Sequence, residues 1–363
     1  MPHLPRIGRF WLVIASTAFA SVARADDAPS SSRAPRPDYP HKSITRREYG
    51  VGGRSYWLYE PAEPTPRRAP VVVFLHGWLA WNPGVYGAWI DHLVRSGRVV
   101  IFPRYQHDWA TRPADFLPNT VAAVRDAFDV LETAPGHVRP DRDRFALIGH
   151  SAGGNLAALL AATREPSLPK PRALVVLMPG EVLAVREPVL EHIPEETLLV
   201  VVAAEDDLVV GDHRARQIFA EATAIPPARK KYVLYRTDRH GRPRLVADHL
   251  APTASFQALD TGGGPFAGYQ MDRGETNAFD QSGFWRLADV TIEAGFSGST
   301  LDAATDHGEL FRHLGYWSDG HAVARPIVGD DLSAIPRVFP NNGLRLSTWT
   351  PRRITPIATP LPR

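Results

Sequence analysis

The stretch Arg144 to Leu156, RFALIGHSAGGNL, governs how the rest of the chain is read. The apolar run Phe145 to Ile148 meets Gly149-His150-Ser151-Ala152-Gly153, and a helical pattern follows through Leu156, Leu159 and Leu160. A strand that turns sharply into a helix exposes the residue at the turn. A serine there presents its hydroxyl beside the free N–H groups of the helix start. Gly149 and Gly153 suit the turn because a Cβ at either would strike the neighbouring strand or helix. Ser151 is therefore the candidate nucleophile. The backbone N–H of Ala152 is a candidate donor to a developing oxyanion.

Working outward, buried-type strands alternate with helical patterns. Val71 to Leu75 is wholly apolar and largely β-branched, and it runs into His76-Gly77-Trp78. Helical periodicity follows over Gly84 to Ser96, then a strand over Arg98 to Pro103 and a helix over Pro113 to Thr133. Beyond the central turn come strands at Arg172 to Met178, Thr197 to Ala204 and Lys230 to Arg236, with a helix at Asp212 to Thr223. Upstream, Thr45 to Glu60 reads as a strand pair about Gly50 to Gly53. This order predicts an α/β fold, a mostly parallel central sheet flanked by helices. Ligands of such sheets sit beyond the carboxyl ends of the strands, where His76, Trp78, Ser151 and Asp207 all fall.

The expected organisation is a signal peptide over 1–25, a flexible linker over 26–44, a core over 45–255 and a C-terminal extension over 256–363 packed on that core. Arg6 and Arg9 precede the apolar run Phe10 to Ala20, and Ala23-Arg24-Ala25 fits a small-x-small cleavage site before Asp26. The apolar run is too short for a stable anchor, so the mature protein is expected to be secreted or periplasmic without a transmembrane segment. In the extension, helical stretches carrying Trp285 and Phe311 are expected to act as a lid that limits bulky substrates. The stretch from Pro326 onward reads as irregular.

Composition excludes several classes. The net charge is only +2 and no basic-aromatic stripe occurs, which argues against nucleic acid as a partner. With no cysteine, neither a thiol nucleophile nor a Cys-ligated metal is available. His107-Asp108 and Asp212-His213 lack further ligands at useful spacing and are expected at the surface, so neither a metal nor a cofactor is expected.

A serine nucleophile needs a base, and the base needs an orienting acid. Glu205-Asp206-Asp207 follows a strand. Asp207, directly before Leu208 to Val210, is the preferred acid, with its two acidic neighbours as alternatives. Of fourteen histidines, His240 and His249 are the first two after the last core strand and are the candidates for the base. His240 lies beside Gly241 and Pro243 in what reads as a solvated turn. His249 follows a short apolar run, is expected to open a helix and is the preferred base. Gly77 permits close backbone approach, so the N–H of Trp78 is the second candidate oxyanion donor. The side chains of Trp78 and Trp81 are expected to bind substrate. Tyr86, Trp89, Tyr105 and Trp109 also fall near the mouth, with Tyr86 and Trp89 expected in the core.

GHSAGG at 149–154, HGW at 76–78, EDDLVV at 205–210 and ADHLAP at 247–252, in the order Ser, Asp, His, resemble the α/β-hydrolase family. The likeness runs over roughly Thr45 to Pro252 by element order. It is similar to secreted serine esterases related to cutinase-like polyester hydrolases, chlorophyllases and dienelactone hydrolases. The resemblance implies the α/β-hydrolase fold, with Ser151 as nucleophile, His249 as base, Asp207 as acid and the Trp78 and Ala152 amides as oxyanion donors. It implies a small-molecule or lipid-like ester as substrate. The chain departs from that group in lacking cysteine, in having the small Ala152 after the serine and in its longer stretch beyond Pro252. A peptidase or amidase on the same fold is the alternative, and a non-catalytic binding protein on a hydrolase scaffold is a further one.

Overall fold

The computed structural model describes residues 38–182, 189–265 and 276–339. The expected signal peptide lies outside the described residues.

The apolar runs form one sheet. Its strands are β1 (Ser43–Tyr49), β2 (Tyr56–Ala62), β3 (Arg68–Leu75), β4 (Val99–Pro103), β5 (Arg139–His150), β6 (Ala173–Leu177), β7 (Leu198–Ala204), β8 (Lys230–Tyr235) and β9 (Ile327–Gly329). Their spatial order is β1-β2-β4-β3-β5-β6-β7-β8-β9. The strands from β4 to β8 in that order run parallel. The strand β2 is antiparallel to β4, and β9 is antiparallel to β8. Every residue of β4, β6 and β7 is buried, as a sheet covered on both faces requires.

Side-chain alternation divides the core into two layers. Val71, Val73 and Leu75 point to one face. They pack with helices α2 (Phe116–Thr133), α3 (Ala152–Ala162) and α4 (His213–Glu221) through residues such as Phe128, Leu156 and Phe219. Val72 and Phe74 point to the other face, toward α1 (Gly87–Arg95) and α5 (Arg286–Ser297), through Trp89, Ile90, Leu287 and Ile292. No helix among the described residues is long and apolar enough to cross a membrane.

Three expectations are corrected. The linker is shorter at its C-terminal end than 26–44: β1 begins at Ser43, and His41 is buried with its ring on the Pro64 carbonyl. The stretches with Trp285 and Phe311 are not a lid. Both side chains are buried in the same layer as Val72 and Phe74, and α5, directly after Trp285, lies across β5, β6 and β7. Asp289 on α5 accepts from His92 at 2.7 Å and from Arg98 at 2.8 Å, which ties the extension to α1 and to the start of β4. The region after Pro326 is not wholly irregular, since Ile327–Gly329 adds β9 to the sheet edge. Three residues carry too little periodicity to announce a strand.

Candidate active site

Ser151 lies between β5 and α3 with φ 57° and ψ −123°, a conformation that non-glycine residues seldom adopt. Tertiary hydrogen bonds hold it there. Its N–H donates to the Leu177 carbonyl at 2.9 Å, and its carbonyl accepts from the Gly180 N–H at 3.0 Å. The turn also needs its glycines. A Cβ on Gly149 would lie 2.1 Å from the Gly153 oxygen, and one on Gly153 would lie 2.2 Å from the Leu75 oxygen.

Three carboxyl-end loops converge on this serine. The Ser151 hydroxyl is 2.9 Å from His249 Nε2 and donates to it. The His249 Nδ1–H donates to Asp207 Oδ2 at 2.8 Å. The other carboxylate oxygen of Asp207 accepts the N–H groups of Val209 and Val210, each at 3.0 Å. Asp207 is fully buried, while Ser151 and His249 are each 8% exposed.

Electrostatics match this wiring. Burial alone would push the Asp207 carboxyl up, but the His249 charge, its hydrogen bond and the two amides outweigh burial and hold it below the ordinary range. Burial likewise pulls His249 down. The Asp207 charge and hydrogen bond, with Asp248 nearby, win and raise it above the ordinary imidazole value.

The alternative acids have other partners. Glu205 accepts the Thr237 N–H, and Asp206 accepts the Thr237 hydroxyl at 2.6 Å, so both brace the loop after β8. The alternative base, His240, is exposed, bonds to Asp319 at 2.7 Å and stacks on His321. His249 sits in a turn over 248–252 rather than opening a helix as expected.

Ala152, one candidate oxyanion donor, directly follows the serine. Gly77, next to the other candidate, adjoins it, since a Cβ on Gly77 would lie 3.3 Å from Ser151 Cβ. Among the described residues, neither the Trp78 N–H nor the Ala152 N–H has a protein acceptor, whereas the adjacent Gly77 and Leu79 N–H groups are paired. Such unpaired donors beside a nucleophile suit a developing negative charge.

The aromatic residues divide differently from the expectation. The Trp78 ring is half-buried and tilts on Phe116. Trp81 is only 6% exposed, covered edge-on by Trp109 and backed by Gly264, so it offers little contact surface. Trp109 is the exposed one at 61%. Tyr105 is no cleft residue: it is fully buried and stacks on the His76 ring at 4.1 Å. Tyr86 and Trp89 are buried as expected. Leu208 and Val209, directly after Asp207, add exposed apolar surface.

Of the two candidate metal pairs, Asp212 is not at the surface. It is buried and bonds to Arg216 at 2.5 Å. Among the described residues no group of three histidine or carboxylate side chains is arranged to hold a metal ion.

Sequence reasoning missed His150 and the Tyr86 hydroxyl. His150 is buried with Nδ1 at 2.8 Å from Tyr86 Oη and Nε2 at 2.8 Å from the His249 carbonyl. Its place before the serine was the only local signal, and its partners come from distant loops.

Comparison with known proteins agrees with the architecture. A family profile described as the alpha/beta hydrolase fold matches residues 72–225. A protein of Acanthamoeba polyphaga mimivirus, assigned by its name to the alpha/beta hydrolases, is 28% identical over 116 residues, 31% of this chain and 32% of that protein. Chlorophyllase-2 of Arabidopsis thaliana is 33% identical over 94 residues, 25% of this chain and 29% of that protein. The chain thus spans about a third of the length of these curated relatives.

Proposed function

From the premise that this chain has the α/β-hydrolase fold, we propose that it is a serine hydrolase of carboxylic esters working through an acyl-enzyme. The observation that carries the reading is the continuous line of hydrogen bonds from the Ser151 hydroxyl through His249 to Asp207. In this mechanism Ser151 Oγ attacks the ester carbonyl carbon while His249 Nε2 takes the hydroxyl proton. The carbonyl oxygen becomes an oxyanion facing the Trp78 and Ala152 N–H groups. Collapse breaks the bond to the alkoxy oxygen, which leaves as the alcohol with the proton from His249. Water then attacks the acyl carbon and passes a proton to His249. A second collapse returns that proton to Ser151 and frees the acid. Asp207 keeps its negative charge and orients the imidazole throughout.

An ester rather than an amide is supported by the apolar residues Trp78, Leu208 and Val209 and by the partial similarity to chlorophyllase-2. A small-molecule or lipid-like ester is the substrate class. The test is labelling of the purified protein with a fluorophosphonate, with the adduct mapped by mass spectrometry, beside a panel of esters and peptide amides. An adduct on Ser151 and faster ester turnover are expected. No adduct, or an adduct elsewhere, overturns the serine assignment, and amide turnover matching every ester overturns the substrate class. Export follows from the composition of residues 1–25. The protein recovered from periplasm or medium should begin near Asp26, and an intact N-terminus confined to cytoplasm would refute export.

A further inference from the structure

The two halves of the hydrolytic centre, the loop carrying Trp78 and the loop carrying His249, are joined by buried side chains that lie outside the triad. The Gly77 N–H donates to Tyr86 Oη at 2.9 Å. Tyr86 Oη is 2.8 Å from His150 Nδ1, and His150 Nε2 is 2.8 Å from the His249 carbonyl oxygen. Only one assignment of protons satisfies all of these contacts with a neutral ring. A carbonyl can only accept, so His150 carries its proton on Nε2. Its Nδ1 is then an acceptor and receives the Tyr86 hydroxyl proton, while the Tyr86 oxygen accepts from Gly77, whose N–H can only donate. Burial, with the His249 charge second, holds His150 down to about 3, so it is neutral wherever His249 works as a base.

The Gly77 end of this chain adjoins the oxyanion donor. The peptide linking Gly77 to Trp78 carries the candidate N–H on one side. Its carbonyl accepts from His76 Nδ1–H at 2.7 Å and from the Ala80 N–H at 3.0 Å on the other. The preceding peptide is fixed as well: its N–H goes to Tyr86, and its carbonyl accepts the Tyr105 hydroxyl. His76 is also held neutral, at about 3, because it is buried. The peptide plane that aims the Trp78 N–H is therefore fixed on both sides by neutral groups, one of which continues to the main chain of the base.

We propose that Tyr86 and His150 are positioning residues that set the separation of the oxyanion donor from the base. They do so through the hydrogen-bonded chain Gly77 N–H, Tyr86 O–H, His150 ring, His249 C=O. This rests on the reading of the centre as a serine hydrolase. The physical gain is preorganisation. Donor and base act on atoms of one tetrahedral intermediate, so a fraction of an ångström between their loops alters its stabilisation while leaving the ground-state ester little affected. His249 already has its ring fixed by Asp207. His150 fixes its backbone, which the triad hydrogen bonds do not reach.

The test uses Tyr86→Phe, which keeps the ring and removes the hydroxyl, beside His150→Gln and His150→Leu, all in the full chain. Fluorophosphonate titration counts competent Ser151, so turnover is expressed per reactive site. Tyr86→Phe should lower kcat by about ten- to a hundredfold with KM within about threefold, and should weaken a boronic-acid transition-state analogue in parallel with kcat/KM. His150→Leu should lose at least as much. His150→Gln, whose amide can still donate to the His249 carbonyl, should recover about tenfold of that loss. The Tyr86→Phe/His150→Leu double variant should be no worse than His150→Leu alone, because both break one chain. Turnover per site within about twofold of wild type for Tyr86→Phe, a loss confined to KM, or additive losses in the double variant would overturn the proposal.

A measurement on the wild-type protein holds even if a variant fails to fold. Nitrogen NMR of histidine-labelled protein should show His150 as the neutral Nε2–H form from about pH 5 to pH 9. An Nδ1–H form, or titration in that range, would overturn it. Failure of wild type to label at Ser151 would instead refute the serine-hydrolase reading itself, so the two failures are distinct.

Discussion

Gly180 stands over Ser151: a Cβ placed on Gly180 would lie 3.6 Å from the Ser151 hydroxyl oxygen, 3.7 Å from the Ala152 nitrogen and 3.2 Å from Val210 Cγ1. A side chain on this residue would press on Val210 and come into contact with the nucleophile. An acyl group bonded to Ser151 is expected to lie against Gly180 and Val210. Gly180→Val should therefore lower kcat/KM for esters with long or aryl acyl groups by about tenfold or more relative to an acetyl ester. Equal losses across the acyl series would show that the acyl group lies elsewhere.

His249 and His240 both follow β8, yet only His249 reaches Ser151. His249→Ala should cost several powers of ten in kcat, on the order expected for loss of a triad base, while His240→Ala should stay within about twofold. The comparison needs only a chromogenic ester. A dead His240→Ala variant would reverse the assignment of the base.

The pH profile has a definite sign. His249 must be neutral to accept the serine proton, and Asp207 raises its affinity for protons. Activity should therefore fall on the acid side with a midpoint above the ordinary imidazole value. Asp207→Asn removes the raising charge and leaves burial, which lowers the imidazole. The acid limb should move to lower pH while kcat drops by about four powers of ten. An unchanged limb in Asp207→Asn would show that His249 does not govern it.

The turn at Ser151 depends on close backbone packing. Gly153→Ala would bring a Cβ to 2.2 Å from the Leu75 oxygen and 2.3 Å from the His76 oxygen, and neither backbone group can swing aside as a flexible side chain would. Chemical denaturation should show a loss of about 3 kcal/mol, with the Trp78 loop displaced and activity reduced. A variant of wild-type stability would mean that the turn can relax by another route.

Much of the architecture was legible in the chain. Val71 to Leu75, Thr197 to Ala204 and the neighbouring runs are apolar on consecutive residues, and a strand buried on both faces has that pattern. The exceptions have physical causes. Ile327–Gly329 is short and lies at the sheet edge, so its identity as β9 comes from pairing with β8. The helical stretch around Trp285 was correctly periodic, but periodicity names the apolar face and not what that face meets. It meets the sheet, which removes the expected lid. Trp81 and Tyr105 are aromatic and near the site in sequence, yet neighbouring residues cover them. Exposure belongs to the neighbours as much as to the residue.

By itself, the sequence determined the local chemistry: a serine between glycines at a strand-to-helix turn, a glycine after His76, an acidic turn after β7, and His240 and His249 as the first two histidines after β8. Each is a property of a few consecutive residues, so steric and hydrogen-bonding rules apply without knowledge of the remainder. The choice between partners was left to the tertiary structure. Ser151 and His249 are 98 residues apart in the chain, His249 and Asp207 are 42 apart, and the His150 contact with the His249 carbonyl spans 99. Strand order sets those distances, because parallel strands deliver their carboxyl ends to one edge of the sheet whatever the length of chain between them. For the same reason Tyr86 reads locally as one more core aromatic on a helical face. Only the folded sheet brings its hydroxyl between Gly77 and His150.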